Sequence, residues 1–408
     1  MPYMALKGLR VLDVSSGIAG PFCAKMLADY GAEVIKVEPP INGDPSRSVG
    51  PFPDDEPHPE KSALYLHLNT NKKGVTLDLD TGAGAGIFKR LVQESDVLIE
   101  SFSAGKMTRL GLAYETLKKM KPSVVMTSVT PFGQTGPHKD YEFTELTIFA
   151  MGGAMHREGL PDREPLKYGG EMGQYFAGTA AAAATMTALF AAAMTGVGDW
   201  IDISIQECLA GHPHQIGRRT PYVYSGESDG RRQPRVTAAG GREPYAVGTF
   251  WCKDGHVSFL PLGPRMWPNL ARMIEQPGLV DDERFATTVD RTERRLELEA
   301  IFQQWFDAHT KYEVFEAGQR EGLPCAPVLD IGEVLENEQF KSRSFFVDVL
   351  HPDAGKLAYT GMPFGLSNVP REEQRPAPRL GQHNSEIFGG LLGLSEDELR
   401  LLGQEGII

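Results

Sequence analysis

Gly8-Leu9-Arg10-Val11-Leu12-Asp13-Val14 is followed by Ser15-Ser16-Gly17-Ile18-Ala19-Gly20-Pro21 and, after Tyr30, by Ala32-Glu33-Val34-Ile35-Lys36-Val37-Glu38. The first seven residues read as a short buried strand, and the next seven as a glycine-containing turn. Phe22, Met26 and Leu27 then give Phe22 to Tyr30 a helical spacing, and Ala32 to Glu38 is a second apolar strand. A strand, helix and strand within about thirty residues form a βαβ unit with a right-handed crossover. Glu38 follows Gly17 at about the distance of the acid that binds a dinucleotide ribose. The turn is not GxGxxG, however, and Pro21 removes one backbone N–H from any phosphate cradle. A structural turn is the better reading.

Outward from this unit, Ile41 to Lys61 is a surface loop rich in Pro, Gly and Asp. Gly74 to Leu79, Asp96 to Glu100, Val124 to Val129 and Asp199 to Ser204 read as strands. Thr81 to Val92 and Lys106 to Leu112 are helical between them. Such alternation indicates a parallel sheet, with ligands at its C-terminal strand ends. The loops at Asn71, Ser101 and Thr130 are expected to converge there, and Lys72, Lys73 and Arg109 to make that edge positive. The plain alternative for the lysines is a solvated surface.

The 408 residues allow a large core and two or more domains. A formal net charge of −13 speaks against nucleic acid and against an anionic membrane as partner, while leaving room for an anionic ligand at a local basic cluster. Cys23, Cys208, Cys252 and Cys325 are scattered, with no zinc spacing, as expected of free thiols in a reducing cytoplasm. The N-terminus has no signal-peptide pattern. Tyr175 to Val197 is uncharged and long enough to span a membrane. Its Ala, Thr, Gly and Met content instead predicts a helix in the core or at a subunit interface.

A large domain is expected over 1–215 and a polar linker over 216–243, with a smaller domain over 244–325. The smaller domain opens with a hairpin turning at Lys253-Asp254-Gly255, and helices follow at Trp267 to Ile274, Arg291 to His309 and Tyr312 to Glu321. Pro324 to Val328 marks a boundary. His212 and His214 have metal-like spacing, but no Cys or carboxylate partner lies near them, so no metal site is expected. Ser15 and Ser16 have no identifiable His/Asp pair, so a hydrolase triad is unsupported.

Pro165-Leu166-Lys167-Tyr168-Gly169-Gly170-Glu171-Met172-Gly173-Gln174-Tyr175-Phe176-Ala177-Gly178 bears on the chemistry. Its small residues form a turn that presents one side chain, and that side chain is the amide of Gln174.

Taken together, the chain resembles the family III CoA-transferases. The match is carried by Gly8 to Asp13, Ala19-Gly20-Pro21, Leu27 to Glu38, Asn69 to Leu79, Arg109 to Leu112, Phe132 to Pro137, Gly322 to Val328 and Ala377 to Gly381. The resemblance implies an α/β fold: a Rossmann-like large domain, a smaller α+β domain, and a return segment, 326–408, completing the large one. It also implies an interlocked dimer. CoA and acyl-CoA are then substrates, with no tightly bound cofactor and no metal, and Lys72, Lys73, Phe102 and Arg109 are the expected CoA-binding residues.

The family's nucleophile is an Asp that attacks the acyl-CoA thioester. By the family's spacing from Gly169 and Gly178 it falls on Gln174, and a carboxamide cannot form the anhydride. The racemase cousins pair an acid there with a His at about Thr144, so racemisation is disfavoured too. Ser101-Phe102-Ser103-Ala104-Gly105 departs from the family's Asn-Phe-Arg-Pro-Gly, whereas Glu145 matches an acid common near the site.

The expectation is a cytoplasmic, non-catalytic subunit paired with a homologous catalytic chain. The pair would move CoA from an acyl-CoA such as succinyl-CoA to an acid such as benzylsuccinate. This resembles the benzylsuccinate CoA-transferase of anaerobic toluene breakdown, which is built from two unlike family III subunits. The alternatives are a self-sufficient transferase using Glu171, whose plain role is a solvated or capping acid, and a non-catalytic acyl-CoA-binding protein.

Overall fold

The structure is a computed structural model that describes residues 4–211, 222–227, 247–260, 266–369 and 374–408. His212, His214 and most of the expected linker lie outside them. The chain divides into two units. One comprises Met1–Glu158, Pro165–Asp229 and Lys341–Ile408; the other comprises Gly159–Glu164 and Gly230–Phe340.

The first unit contains a six-stranded, wholly parallel sheet. Its strands are β1 (Arg10–Asp13), β2 (Glu33–Glu38), β3 (Lys73–Thr76), β4 (Val97–Glu100), β5 (Val125–Thr130) and β6 (Trp200–Ser204), in the spatial order β3-β2-β1-β4-β5-β6. This is the doubly wound order, whose direction reverses between β1 and β4 and opens a crevice at their C-terminal ends. The connecting helices are α1 (Ala19–Asp29), α2 (Ala63–Leu68), α3 (Gly82–Gln93), α4 (Lys106–Arg109), α5 (Tyr114–Met120), α6 (Glu145–Met151), α7 (Met172–Thr195) and α8 (Ile205–Gly211).

Side chains alternate between the two sheet faces, as the pleat requires. Val11, Val97 and Val125 point into the core shared with α1 and α7. Leu12, Leu98 and Met126 point into a second core with α3 and the C-terminal segment. That segment also covers the free edge of β3. The Gly74 and Thr76 N–H groups donate to His383 Nδ1 and Asn384 Oδ1, and Asp78 N–H donates to the Ile407 carbonyl. An edge strand left bare would be a template for wrong pairing.

The apolar stretch noted in the sequence becomes α7, 24 residues long and apolar enough to cross a membrane by length and composition. One stripe of it, including Ala177, Gly178, Ala181, Ala182 and Thr185, is buried, and the helix packs on α1, β5 and α8. The opposite side exposes Met186, Phe190 and Met194. The burial is therefore one-sided. Thr185 and Thr127 share a hydrogen bond of 2.7 Å between their hydroxyls, tying the helix to β5. Gly178 allows the closest approach, because a Cβ there would lie 2.6 Å from the Ala19 carbonyl oxygen.

The second unit has a three-stranded sheet of β7 (Gly248–Cys252), β8 (Gly255–Phe259) and β9 (Cys325–Pro327). β7 and β8 form the hairpin over Lys253-Asp254, and the unit's core includes Phe250, Phe259, Phe302 and Phe306. The expected helix Arg291 to His309 is two helices, Thr288–Glu293 and Arg295–Ala308, joined at Arg294. Because β9 pairs with β8, the chain stays in this unit to Phe340, and the return begins at Lys341 rather than at 326.

Gly178→Val forces α7 away from Ala19 and is expected to cost about 1–3 kcal/mol, the usual range for an overpacked core. A lower urea midpoint at unchanged slope would be its signature.

Candidate functional site

Gln174 is the third residue of α7, whose first turn starts after the N-cap Glu171. The direction of α7 places it. Gly178 lies against Ala19 just beyond β1, whereas Gly198 N–H donates to the Pro122 carbonyl near the start of β5. The helix therefore runs antiparallel to the strands, and its N-terminus emerges at their C-terminal edge. Gly170 supplies the preceding bend with a φ of 66°, a conformation that glycine adopts without penalty. Lys167 Nζ closes the turn by donating to the Tyr168 and Gly170 carbonyls at 3.0 and 2.6 Å.

Two acids flank the amide. Gln174 Nε2 donates to Glu171 Oε2 at 3.4 Å, and the Gly173 N–H donates to Glu145 Oε1 at 2.6 Å. Glu145 opens α6 and is buried, and its Oε2 has no hydrogen-bond partner among the described residues. Burial raises its pKa, opposed by the Gly173 N–H, and the charge of Glu171 raises it further. The turn thus holds one carboxyl biased toward its neutral form, a second that receives an amide hydrogen bond, and no carboxylate at position 174.

Along the same edge, the loops after β1, β2, β3 and β4 enclose a cavity of about 230 Å³ lined by Ser16, Pro39, Leu79, Asp80, Phe102 and Lys106 among others. The loops after β1 and β4 meet where the sheet reverses, with Ser16 N–H donating to Ser101 Oγ at 2.8 Å. Phe102 lines the cavity, as expected of a residue leaving β4. Arg109 ends α4 exposed to solvent and does not line it.

Neither Lys72 nor Lys73 lines this cavity. Lys73 is the first residue of β3, at the opposite end of the sheet, bonded to Glu33 at 2.6 Å and Glu386 at 2.8 Å. Asn71 precedes it and bonds Asp29 and Arg375, so this loop does not join those after Ser101 and Thr130. Lys72 is buried, and its ammonium donates to Asp13, the Pro21 carbonyl and Asn69. Burial lowers its pKa to about 8 even beside Asp13. In a parallel sheet, the loop entering a strand and the loop leaving it lie at opposite edges; the sequence expectation placed an entry loop with the exits.

The structure adds Glu100, an acid ending the apolar run Val97-Leu98-Ile99. The Phe102 N–H donates to its Oε2 at 2.7 Å and Gln134 Nε2 to its Oε1 at 3.4 Å. Asp202 accepts from the Gln134 N–H at 2.9 Å. Burial pushes the Glu100 carboxyl up to about 7; the Ser128 hydroxyl and Phe102 N–H oppose this, and the charge of Asp202 adds to it. An acid closing a hydrophobic strand at the ligand edge was the available sequence signal.

The sequence model of CoA-transferase family III matches residues 6–384. The chain belongs to that family. It is 34% identical to the succinyl-CoA–D-citramalate CoA-transferase of Chloroflexus aurantiacus, over 100% of this chain and 99% of that one. It is 32% identical to subunit BbsE of the succinyl-CoA:(R)-benzylsuccinate CoA-transferase of Thauera aromatica, over 93% of this chain and 92% of that one. The crystal structure of a CAIB/BAIF family protein from Brucella suis superposes with a TM-score of 0.83 at 30% identity, covering 95% of this chain and 99% of that one. This family III member therefore has the fold of its relatives around a turn that carries an amide.

Glu100 gives the site a pH dependence. Its folded pKa is raised, so the unfolded chain releases this proton first, and stability from this group falls as pH rises from about 4.5 to about 7. Glu100→Gln keeps an acceptor for Phe102 and removes the titration. It is expected to flatten the thermal midpoint across that window and to stabilise the protein above pH 7 by up to about 3 kcal/mol. An unchanged pH profile would contradict this.

Proposed function

We propose that this chain is the non-catalytic subunit of a heteromeric family III CoA-transferase that moves CoA from an acyl-CoA to a carboxylic acid, succinyl-CoA and benzylsuccinate being examples. The observation that carries the reading is Gln174 in the first turn of α7. In the resembled mechanism a carboxylate oxygen attacks the thioester carbonyl, expelling CoA thiolate and leaving a mixed anhydride. The thiolate then attacks that anhydride, releasing the donor acid and leaving an enzyme thioester, and the acceptor carboxylate repeats the cycle in reverse. An amide has no free oxygen charge to begin it.

The chemistry would then belong to a homologous partner carrying the Asp. A relative whose name marks it as one subunit of a CoA-transferase supports such an arrangement. So does the exposed apolar side of α7, with Met186, Phe190 and Met194 available for a subunit contact. CoA and acyl-CoA would be substrates of the assembly, with no tightly bound cofactor.

A second reading makes the chain self-sufficient through Glu171, favoured by one contact: the Gln174 amide donates to the Glu171 carboxylate and holds it at the turn. Under either reading, Phe102 would line the nucleotide crevice.

Affinity purification from the native host is expected to recover a second family III chain with Asp at the position of Gln174, and CoA exchange only in the complex. An active oligomer of this chain alone would refute the subunit reading. Loss of that activity in Glu171→Gln, with a hydroxylamine-trapped adduct on Glu171, would establish the second reading in its place.

A further inference from the structure

A cavity of about 470 Å³ lies in the first unit at the sheet edge opposite the turn of Gln174, lined by Glu33 and Lys73, the first residues of β2 and β3. Its size falls within the range of about 300–1,000 Å³ that small-molecule sites occupy. The N-terminal arm, the end of α1 and the returning C-terminal segment form the rest of the wall. None of the chemistry of the C-terminal strand edge uses it.

Two acids and three cations line the cavity, and both acids are already answered. Asp29 pairs with Lys25 at 2.9 Å and accepts from Asn71 Nδ2 at 2.7 Å. Glu33 pairs with Arg10 at 2.7 Å and with Lys73 at 2.6 Å. The other two cations are Lys7 and Arg375, and among the described residues neither forms an ion pair. Two positive charges therefore stay uncompensated at one cavity of a chain whose net charge is −13.

Both side chains are exposed, so solvation alone would satisfy their charge. Arg375 is nevertheless held in place. Its N–H donates to Asn71 Oδ1 at 2.8 Å, its Nη2 donates to the Asn71 carbonyl at 2.9 Å, and its own carbonyl accepts the Asn71 N–H at 3.0 Å. Asn71 is itself fixed at a φ of 67°, a left-handed conformation that asparagine tolerates better than most residues. Among the described residues, Nε and Nη1 of this anchored guanidinium have no acceptor. A planar fork with its orientation set and its donors free matches a carboxylate in two parallel hydrogen bonds, with little ordering left to do on binding. Beside it, Met4, Ala32, Val347 and Met362 give the cavity an apolar wall suited to hydrocarbon.

We propose that this cavity binds an organic dicarboxylate at a site separate from the turn of Gln174. The Arg375 fork takes one carboxylate, Lys7 attracts the second, and the apolar wall covers the carbon skeleton between them. The charge matches, one anion for each uncompensated cation. CoA transfer consumes one carboxylic acid and releases another, so acids of this class are ones that a family III assembly meets. The site goes beyond the subunit reading and holds whether transfer takes place on this chain or on a partner.

Calorimetric titration of the full chain with benzylsuccinate, succinate and inorganic phosphate, at one fixed ionic strength, tests this. Benzylsuccinate is expected to bind most tightly, because it fills the apolar wall, and phosphate least. Arg375→Lys keeps the charge and loses the fork, and is expected to weaken benzylsuccinate at least about tenfold. Lys7→Gln is expected to weaken it about two- to fivefold, the range of an exposed charge pair. Excess CoA is expected to leave the titration unchanged. Arg375→Lys retains the backbone bonds to Asn71, and its thermal midpoint checks the fold; should it unfold, the exposed Lys7→Gln carries the test. Absence of binding by both acids, phosphate binding as tightly as benzylsuccinate, affinity unmoved by either substitution, or displacement by CoA would each overturn the proposal. CoA exchange by the purified heteromer is a separate readout, so loss of this site leaves the subunit reading standing, and an active oligomer of this chain alone leaves this site standing.

Discussion

A chain of ion pairs buried in the sheet sets the geometry of its C-terminal edge. Asp13 ends β1 with no exposure and receives the Lys72 ammonium at 2.8 Å, with Lys36 3.9 Å away. Lys36 continues to Asp44, and Glu38 on the same strand holds Arg47 at 2.7 Å. Arg47 in turn reaches Tyr65 and the Pro378 carbonyl, so one network joins β1, β2, the loop after β2, α2 and the returning C-terminal segment. Opposed charges bring the Asp13 pKa down against the burial that would raise it. Removing one partner of such a pair leaves a buried charge without compensation, typically at a cost of about 3–5 kcal/mol.

The crevice depends on this network. Glu38 and Asp44 line it, yet their oxygens face inward to Arg47, Tyr65 and Lys36, so they shape the wall without contacting a ligand. The charges left facing the cavity are those of the exposed turn after β3 and of Lys106. Lys72 shows the same division. A basic residue expected to meet an anionic substrate is instead the counter-ion of Asp13, and burial brings its pKa to about 8. Structure and chemistry therefore use different charges, although these charges are neighbours in sequence.

The turn at the start of α7 rests on packing rather than on charge. Gly178 and the alanine stripe let α7 lie close to α1, which brings residue 174 to the ligand edge of the sheet. A carboxylate there would gain from the partial positive charge of the helix N-terminus. It would also stand among Glu145 and Glu171, the first already raised in pKa by burial. Gln174 avoids a third acid in that turn and still donates to Glu171. An amide at this position is compatible with the fold of the turn and leaves no anionic oxygen on residue 174.

The sequence by itself determined the parallel α/β class, because the period of its apolar residues switches between strand and helix along the first two hundred positions and hydrophobic burial acts on that period. It also determined the identity of residue 174, since the glycines around it count its position without reference to any contact. Only the tertiary structure decided which basic residues face solvent. Lys72 and Lys73 are adjacent in sequence, yet one is buried against Asp13 and the other lies at the far end of β3. Strand direction and long-range ion pairing separate them, and neither is encoded in local spacing. The same holds for Glu100, whose raised pKa arises from burial under the loops after β4 and β5. A side chain's charge state and its partner are properties of the packed neighbourhood, which forms only when distant segments meet.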